Sequence, residues 1–182
     1  MQDYQNRGRA AGPGRRFDPP MENGLELKDQ VISIRRVTKV VKGGKNLSFS
    51  ALAAVGNGAG RVGIGLGKAR EVPQAIAKAV EAAKKAMVSV PLNETTIPHL
   101  VQGVQGAGVV VLRPAVKGTG VIAGGAVRVI MELAGIKDIL TKSIRSSNPI
   151  SVAHATMDAL KRIKTAELVA KNRNKTKETI WQ

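Results

Sequence analysis

An α+β fold in two small domains is predicted, and three observations predict it. Extended runs separated by glycine-rich turns lead into an amphipathic helix between residues 35 and 80. A second round of strands and helices follows a proline break near residue 91, while both ends of the chain lack periodicity. With 182 residues and 43% hydrophobic content, the chain can build a packed core in one domain or two small ones. The expected divisions are a flexible basic arm over 1–26, a first domain over 27–90, a linker at 91–96, a second α+β domain over 97–166 and a polar tail over 167–182.

Val31 to Thr38 alternates loosely between apolar and polar residues, as a half-buried strand does, and Leu47 to Val55 is a second strand-forming run. Between them, residues 39–46 read as a loop in which Gly43 and Gly44 permit tight geometry and Lys39, Lys42 and Lys45 have no carboxylate nearby. Clustered lysines beside exposed backbone N–H groups suit phosphate contact better than a merely soluble turn. Arg35 and Arg36 on the preceding strand extend the same charge.

The next turn, residues 56–60, leads into Arg61-Val62-Gly63-Ile64-Gly65-Leu66-Gly67, where glycine alternates with aliphatic residues. One face of that strand is bare backbone, so a helix or another strand can approach it closely. Residues 58–63 spell GxGxxG, but a dinucleotide fingerprint needs a helix directly afterwards, and here a strand follows. A P-loop reading of Gly67-Lys68 fails because Val62 stands where its first glycine belongs and Ala69 where its Ser/Thr belongs. A helix is predicted over 72–89, with Pro73 in its first turn and Val72, Ala75, Ile76, Ala79, Val80, Ala83 and Met87 as its buried stripe.

In the second half, Thr95–Gln105 and Val109–Leu112 read as a hairpin turned at residues 106–108. A loop over 113–120 precedes a helix from about Gly124 to Ala134. Residues 118–123 give GxGxxA, but Asp138 and the strand after it are flanked by lysines and do not read as the acidic partner expected about 20 residues on, and no βαβ pattern of a nucleotide fold develops. The loop fits either anion binding at a helix N-terminus, with Arg113, Lys117, Thr119 and Gly120 as donors, or a structural tight turn. Lys137–Ser143 reads as a strand, and the polar turn ending in Asn148-Pro149 starts a helix whose stripe is Val152, Ala155, Thr156, Ala159, Leu160 and Ile163. From Lys171 the chain is polar and expected to be loose.

Charge narrows the function classes. Lys and Arg number 29 against 13 acidic residues, a net charge of +16, which favours an anionic polymer as partner. Residues 31–90 are the most one-sided, with eleven basic and two acidic residues. A membrane surface fits less well, because the 72–89 helix spends its apolar stripe on the sheet, and Gly120–Ile136 is interrupted by Arg128 and Glu132. No cysteine is present, so disulfides and thiolate zinc sites are excluded, and a cytoplasmic location is expected. His99 and His154 read as packing or surface residues, and Glu132, Asp138 and Asp158 form no acid/base pair or magnesium cluster; neither catalysis, a small-molecule substrate, a metal nor a cofactor is expected.

Aromatic content of 2% decides the kind of RNA binder. Splayed single strands are usually stacked on aromatic platforms, and only Tyr4, Phe17, Phe49 and Trp181 are on offer. Structured RNA held by shape and phosphates is the better match. Asn57, Arg61, Lys68 and Arg70, in and beyond the glycine-rich turn, join the RNA-binding candidates, as do Arg15 and Arg16 if the arm is more than an inert tail.

The run GKNLSFSALAAVGNGAGRVGIGLGKAREVPQAI resembles the amino-terminal domain of small-subunit ribosomal proteins of the S-five family, a domain similar to double-stranded-RNA-binding folds. The run GTGVIAGGAVRVIMELAGIKDILTKSIRSSNPISVAHATMDAL resembles that family's second domain, an α/β sandwich, and the likeness spans roughly residues 27–170. The resemblance implies a structural role in the small subunit, with the first domain facing its head and the second its body. It further implies that the 39–46 loop reaches small-subunit rRNA near the head–body junction, in a region linked to spectinomycin sensitivity. The second domain would contact ribosomal proteins S-four and S-eight, with Gln102, Gly103 and Gln105 at the protein interface, and the S-four contact would bear on decoding accuracy. Basic residues would lie near the path by which mRNA enters. Competing classes are a free-standing double-stranded-RNA-binding module or RNA chaperone, and a phosphotransferase sharing the second domain's fold.

Overall fold

The computed structural model describes residues 21–22 and 25–174. Its elements in order are β1 (Met21–Glu22), β2 (Leu25–Glu26), β3 (Lys28–Val41), β4 (Gly44–Gly56), β5 (Arg61–Ala69), α1 (Val72–Lys85), β6 (Val88–Ser89), β7 (Val101–Gln105), β8 (Gly108–Pro114), β9 (Val121–Ile122), α2 (Gly125–Ala134), β10 (Ile139–Ser143), α3 (Pro149–Arg162) and α4 (Ala166–Arg173). β1 and β2 form a small antiparallel pair; the two main sheets run β3-β4-β5-β6, all antiparallel, and β7-β8-β10-β9, in which only β10 and β9 are parallel. The chain is thus α+β, as its patterning predicts.

Alternation along β4 and β5 sends side chains to two different helices. Ala51 and Ala53 join Ala75 and Ala79 of α1 in one cluster, whereas Leu52, Ala54, Val62 and Ile64 join the core built around α2 and α3. The bare glycine face of β5 is where α1 lies. A Cβ on Gly63, Gly65 or Gly67 would stand 2.3, 2.2 and 2.2 Å from the carbonyl oxygens of Ala83, Ala79 and Ala75 respectively. Two strand residues advance about 6.6 Å and four helical residues about 6 Å, so each second glycine meets each fourth alanine of an oppositely directed helix.

On the other side of this sheet, α2 packs against β3, β4 and β5, while α3 packs on β7 and β8, and the two helices touch. One continuous buried cluster includes Leu52 and Ile64 of the first sheet, Ile130 and Met131 of α2, Leu112 and Ile139 of the second sheet, and Leu160 of α3. The glycine-rich turn locks this seam. Gly58 and Gly60 donate their N–H groups to the carbonyls of Leu133 and Ala134, both at 2.9 Å, supplying partners to the last turn of α2 that the helix itself cannot provide. The GxGxxG amides therefore face the negative end of a helix, the opposite of a phosphate. Gly135, at φ +87°, closes α2 in the left-handed conformation, with Ile136 N–H bonded to the Met131 carbonyl.

Several boundaries differ from expectation, each for a local reason. α1 stops at Lys85, because Val88 and Ser89 return as an edge strand beside Val62 and Arg61. Residues 95–100 are no strand: Thr96 closes a tight turn with Asn93, and β7 begins only at Val101. β10 starts at Ile139 since the amides of Lys137 and Asp138 turn away to the Thr95 carbonyl. β9 intervenes between the 113–120 loop and α2. The tail begins with α4, capped by the Thr165 hydroxyl and seated by buried Ala170.

Candidate nucleic-acid interface

β3 and β4 remain paired out to Val41 and Gly44, so the residues expected as an eight-residue loop form a hairpin whose turn is only Lys42 and Gly43. Gly43 takes φ +91°, a conformation open to glycine at no steric penalty, and Gly44 extends β4. Ala69, the last residue of β5, pairs with Phe49. Beyond that point β3 and β4 have only each other, and five residues of each project past the sheet by about 17 Å.

Where this arm leaves the sheet there is a concavity of about 580 Å³, lined by Val37, Thr38, Lys39, Lys45, Asn46, Leu47, Ser48, Lys68 and Arg70. Four of the nine carry positive charge and none is acidic. Lys39 and Lys45 come from the arm, Lys68 from the end of β5, and Arg70 from the step before α1, next to the N-cap Glu71, whose carboxylate lies outside the lining and accepts from Gln74 Nε2 at 3.1 Å. Thr38, Asn46 and Ser48 place neutral donors between the cations, and no local sequence pattern marks them. Arg35, Arg36 and Lys42 are exposed along the same arm.

The structure does not bring every candidate here. Arg61 opens β5, seven residues or about 23 Å from Lys68. Asn57 has its Oδ1 committed to its own turn, accepting from the N–H groups of Ala59 and Arg61 at 2.9 and 3.0 Å. Arg15 and Arg16 lie outside the described residues.

The 113–120 loop carries a correction. Its amides are already occupied by an internal anion: Gly118 and Gly120 donate to Asp138 Oδ1 at 3.0 and 2.9 Å. The Gly120 N–H foremost, then the Thr95 hydroxyl, the Gly118 N–H and the charge of Lys117 hold the Asp138 carboxyl below its ordinary value of 3.8, against burial, which works to raise it. With α2 beginning at Gly125, the loop is not at a helix N-terminus. Gly120 thus has no amide to offer a phosphate, and the Thr119 hydroxyl is bonded to the Val116 carbonyl at 2.7 Å. What the loop exposes is the side chains of Arg113 and Lys117.

Gly103 is likewise corrected. A Cβ there would stand 2.0 Å from the Ala155 carbonyl of α3, so the residue is a packing position, buried and turned from any partner. Gln102 and Gln105 are exposed on β7, an edge strand, where the Val104 N–H is covered by Asp158 Oδ2 at 2.9 Å. His99 is a structural link: its Nε2 accepts from the Lys164 N–H at 3.0 Å, which leaves Nδ1 to donate to the Leu100 carbonyl at 2.9 Å. Among the described residues no three His, Asp or Glu side chains gather as a metal site, and no helix is long and apolar enough to cross a membrane.

The two-part α+β fold agrees with what the sequence matches. Residues 27–91 match the family model described as ribosomal protein S5, N-terminal domain, and residues 103–173 match the one described as ribosomal protein S5, C-terminal domain. Both halves are matched in order along most of the chain, which therefore belongs to the ribosomal protein S5 family, a structural, RNA-binding family of the small ribosomal subunit.

Proposed function

We propose that the groove at the root of the β3–β4 arm is the principal rRNA contact of this protein, with Lys39, Lys45, Lys68 and Arg70 on phosphates and Lys42, Gly43, Gly44, Arg35 and Arg36 extending the contact along the arm. The observation that carries this is the meeting of four cations, from β3, β4, β5 and the step before α1, in one concavity whose lining holds no carboxylate. Low aromatic content supports recognition of structured RNA by backbone and shape. Arg113 and Lys117 form a second, side-chain-only contact from the other half.

On this reading the first half, residues 27–90, holds the head side of the subunit and the second, 97–166, the body side, limiting their relative motion. Gln102 and Gln105 on the exposed β7 edge are the proposed contact with protein S-four, through which the protein bears on translational accuracy; protein S-eight is a second neighbour, and the path of incoming mRNA lies close to the basic arm. The location that follows is cytoplasmic, within the small subunit. Family membership supports these assignments.

The test is a titration of deproteinised small-subunit rRNA with the full-length protein over a potassium chloride series. Each of Lys39→Ala, Lys45→Ala and Lys68→Ala is expected to lower the slope of log K against log salt by about 1, at unchanged thermal midpoint. Three unchanged slopes would remove the groove from the interface.

A further inference from the structure

Register across the first sheet aligns charges that are distant in sequence. Arg35 pairs with Ser50 and Ser50 with Lys68, so the three lie in one row on one face, the outer two about 10 Å apart at the usual strand spacing. Lys39, four residues further along β3, shares that face. Unlike the lysines, Arg35 is tied down: its Nη2 donates to Asn148 Oδ1 at 2.7 Å, across 113 residues of chain. Because a guanidinium only donates, the acceptor must be the amide oxygen.

Asn148 is itself held on several sides. It is the N-cap of α3, its Oδ1 accepting from the Ile150 N–H at 3.4 Å. Its Nδ2 donates to the Ser151 hydroxyl at 3.3 Å, and its own N–H donates to the Ser146 hydroxyl at 3.2 Å. The anchor is therefore a helix cap in the second half of the chain. One of the five guanidinium donors is used, and four remain for a ligand.

We infer that Asn148 is a positioning residue for RNA binding: it holds the Arg35 guanidinium at the root of the arm, on the same face as Lys68 and Lys39, so that the three present one patch of positive charge to an RNA backbone. A free arginine loses rotamer freedom when it captures a phosphate; one already tethered loses less, and binding is stronger for the same contact. This inference rests on the groove being the rRNA contact.

The experiment uses the full chain, deproteinised small-subunit rRNA and the salt series above, with Arg35→Ala, Asn148→Ser and the double variant. Serine keeps an N-cap for α3 but is one atom too short to reach Arg35. Arg35→Ala is expected to lower the slope by about 1. Asn148→Ser is expected to weaken binding by about two- to fivefold with the slope unchanged, on the scale of one immobilised side chain, and to have no effect in the Arg35→Ala background. If the Asn148→Ser loss persists in that background, or Arg35→Ala leaves the slope unchanged while Lys39→Ala and Lys68→Ala lower it, the inference fails and the groove stands. If the lysine variants also leave the slope unchanged, both fail.

Discussion

Replacing Gly65 by alanine tests the contact that seats α1 on the first sheet. The new Cβ would lie 2.2 Å from the Ala79 carbonyl oxygen, 2.4 Å from the Ala83 nitrogen and 2.9 Å from the Ala82 carbonyl carbon. Ordinary contact begins near 3.4 Å, so α1 has to move off β5 by about 1 Å; all three atoms are helix backbone, and no side chain can rotate away. That motion loosens Ala75 and Ala79 from Ala51 and Ala53. Overpacking of this kind costs 1–3 kcal/mol, and a clash with a rigid helix belongs at the upper end, about 3 kcal/mol. For a chain of 182 residues this lowers the melting temperature by roughly 6–12 °C.

The assay is urea unfolding of the full-length protein by circular dichroism, with calorimetry for the midpoint. Gly44→Ala is the control, since nothing lies within 4 Å of its added Cβ and its φ is not positive; it should stay within about 0.5 kcal/mol of the parent. A Gly65→Ala protein as stable as that control would refute the argument that α1 sits on bare β5 backbone. The displaced α1 also carries Arg70 with it, so RNA affinity should fall while the salt slope, which counts cations, changes little.

Two further outcomes follow. The Asp138 carboxyl, held below its ordinary value, stabilises the fold above pH 3.8 and loses that contribution as pH falls towards its folded-state value; urea midpoints between pH 6 and 2.5 should fall along an acid limb that Asp138→Asn flattens, at the expense of stability near neutrality. Gly135→Ala combines φ +87° with a Cβ 2.1 Å from the Gly58 carbonyl oxygen, and it should destabilise by about 2–4 kcal/mol in a thermal melt, through backbone strain and the forced opening of the seam.

Local chemistry made much of this legible. Alternating Gly63, Gly65 and Gly67 announced a close helix, and the 3–4 spacing from Val72 to Val80 announced which helix face would meet them. Asn148-Pro149 gave the start of α3 because cap and first-turn proline act within a few residues. What stayed hidden depends on distant partners. Nothing near Gly103 reveals that Ala155 lies over it, nor does the sequence around Gly118 and Gly120 show that Asp138 takes their amides. The 39–46 segment reads as a loop because Lys39, Lys42, Gly43, Gly44, Lys45 and Asn46, all disfavoured in strands by local propensity, outnumber Val40 and Val41; the ladder between β3 and β4 overrides that preference.

The seam changes how the proposed function works. Two domains on a flexible linker would transmit little of a movement at one RNA contact to the other. Here Val90 and Ile97, on either side of the expected linker, are both buried in the common core, and the 56–60 turn closes the last turn of α2. The arm rises from the same sheet that α2 covers, and Arg35 at its root is fastened to the cap of α3. Interiors packed this way deform little and pass strain on. A displacement at the groove must therefore either carry the β7–β8 edge with it or break core contacts, and that rigidity is what the proposed restraint of two RNA regions against each other requires.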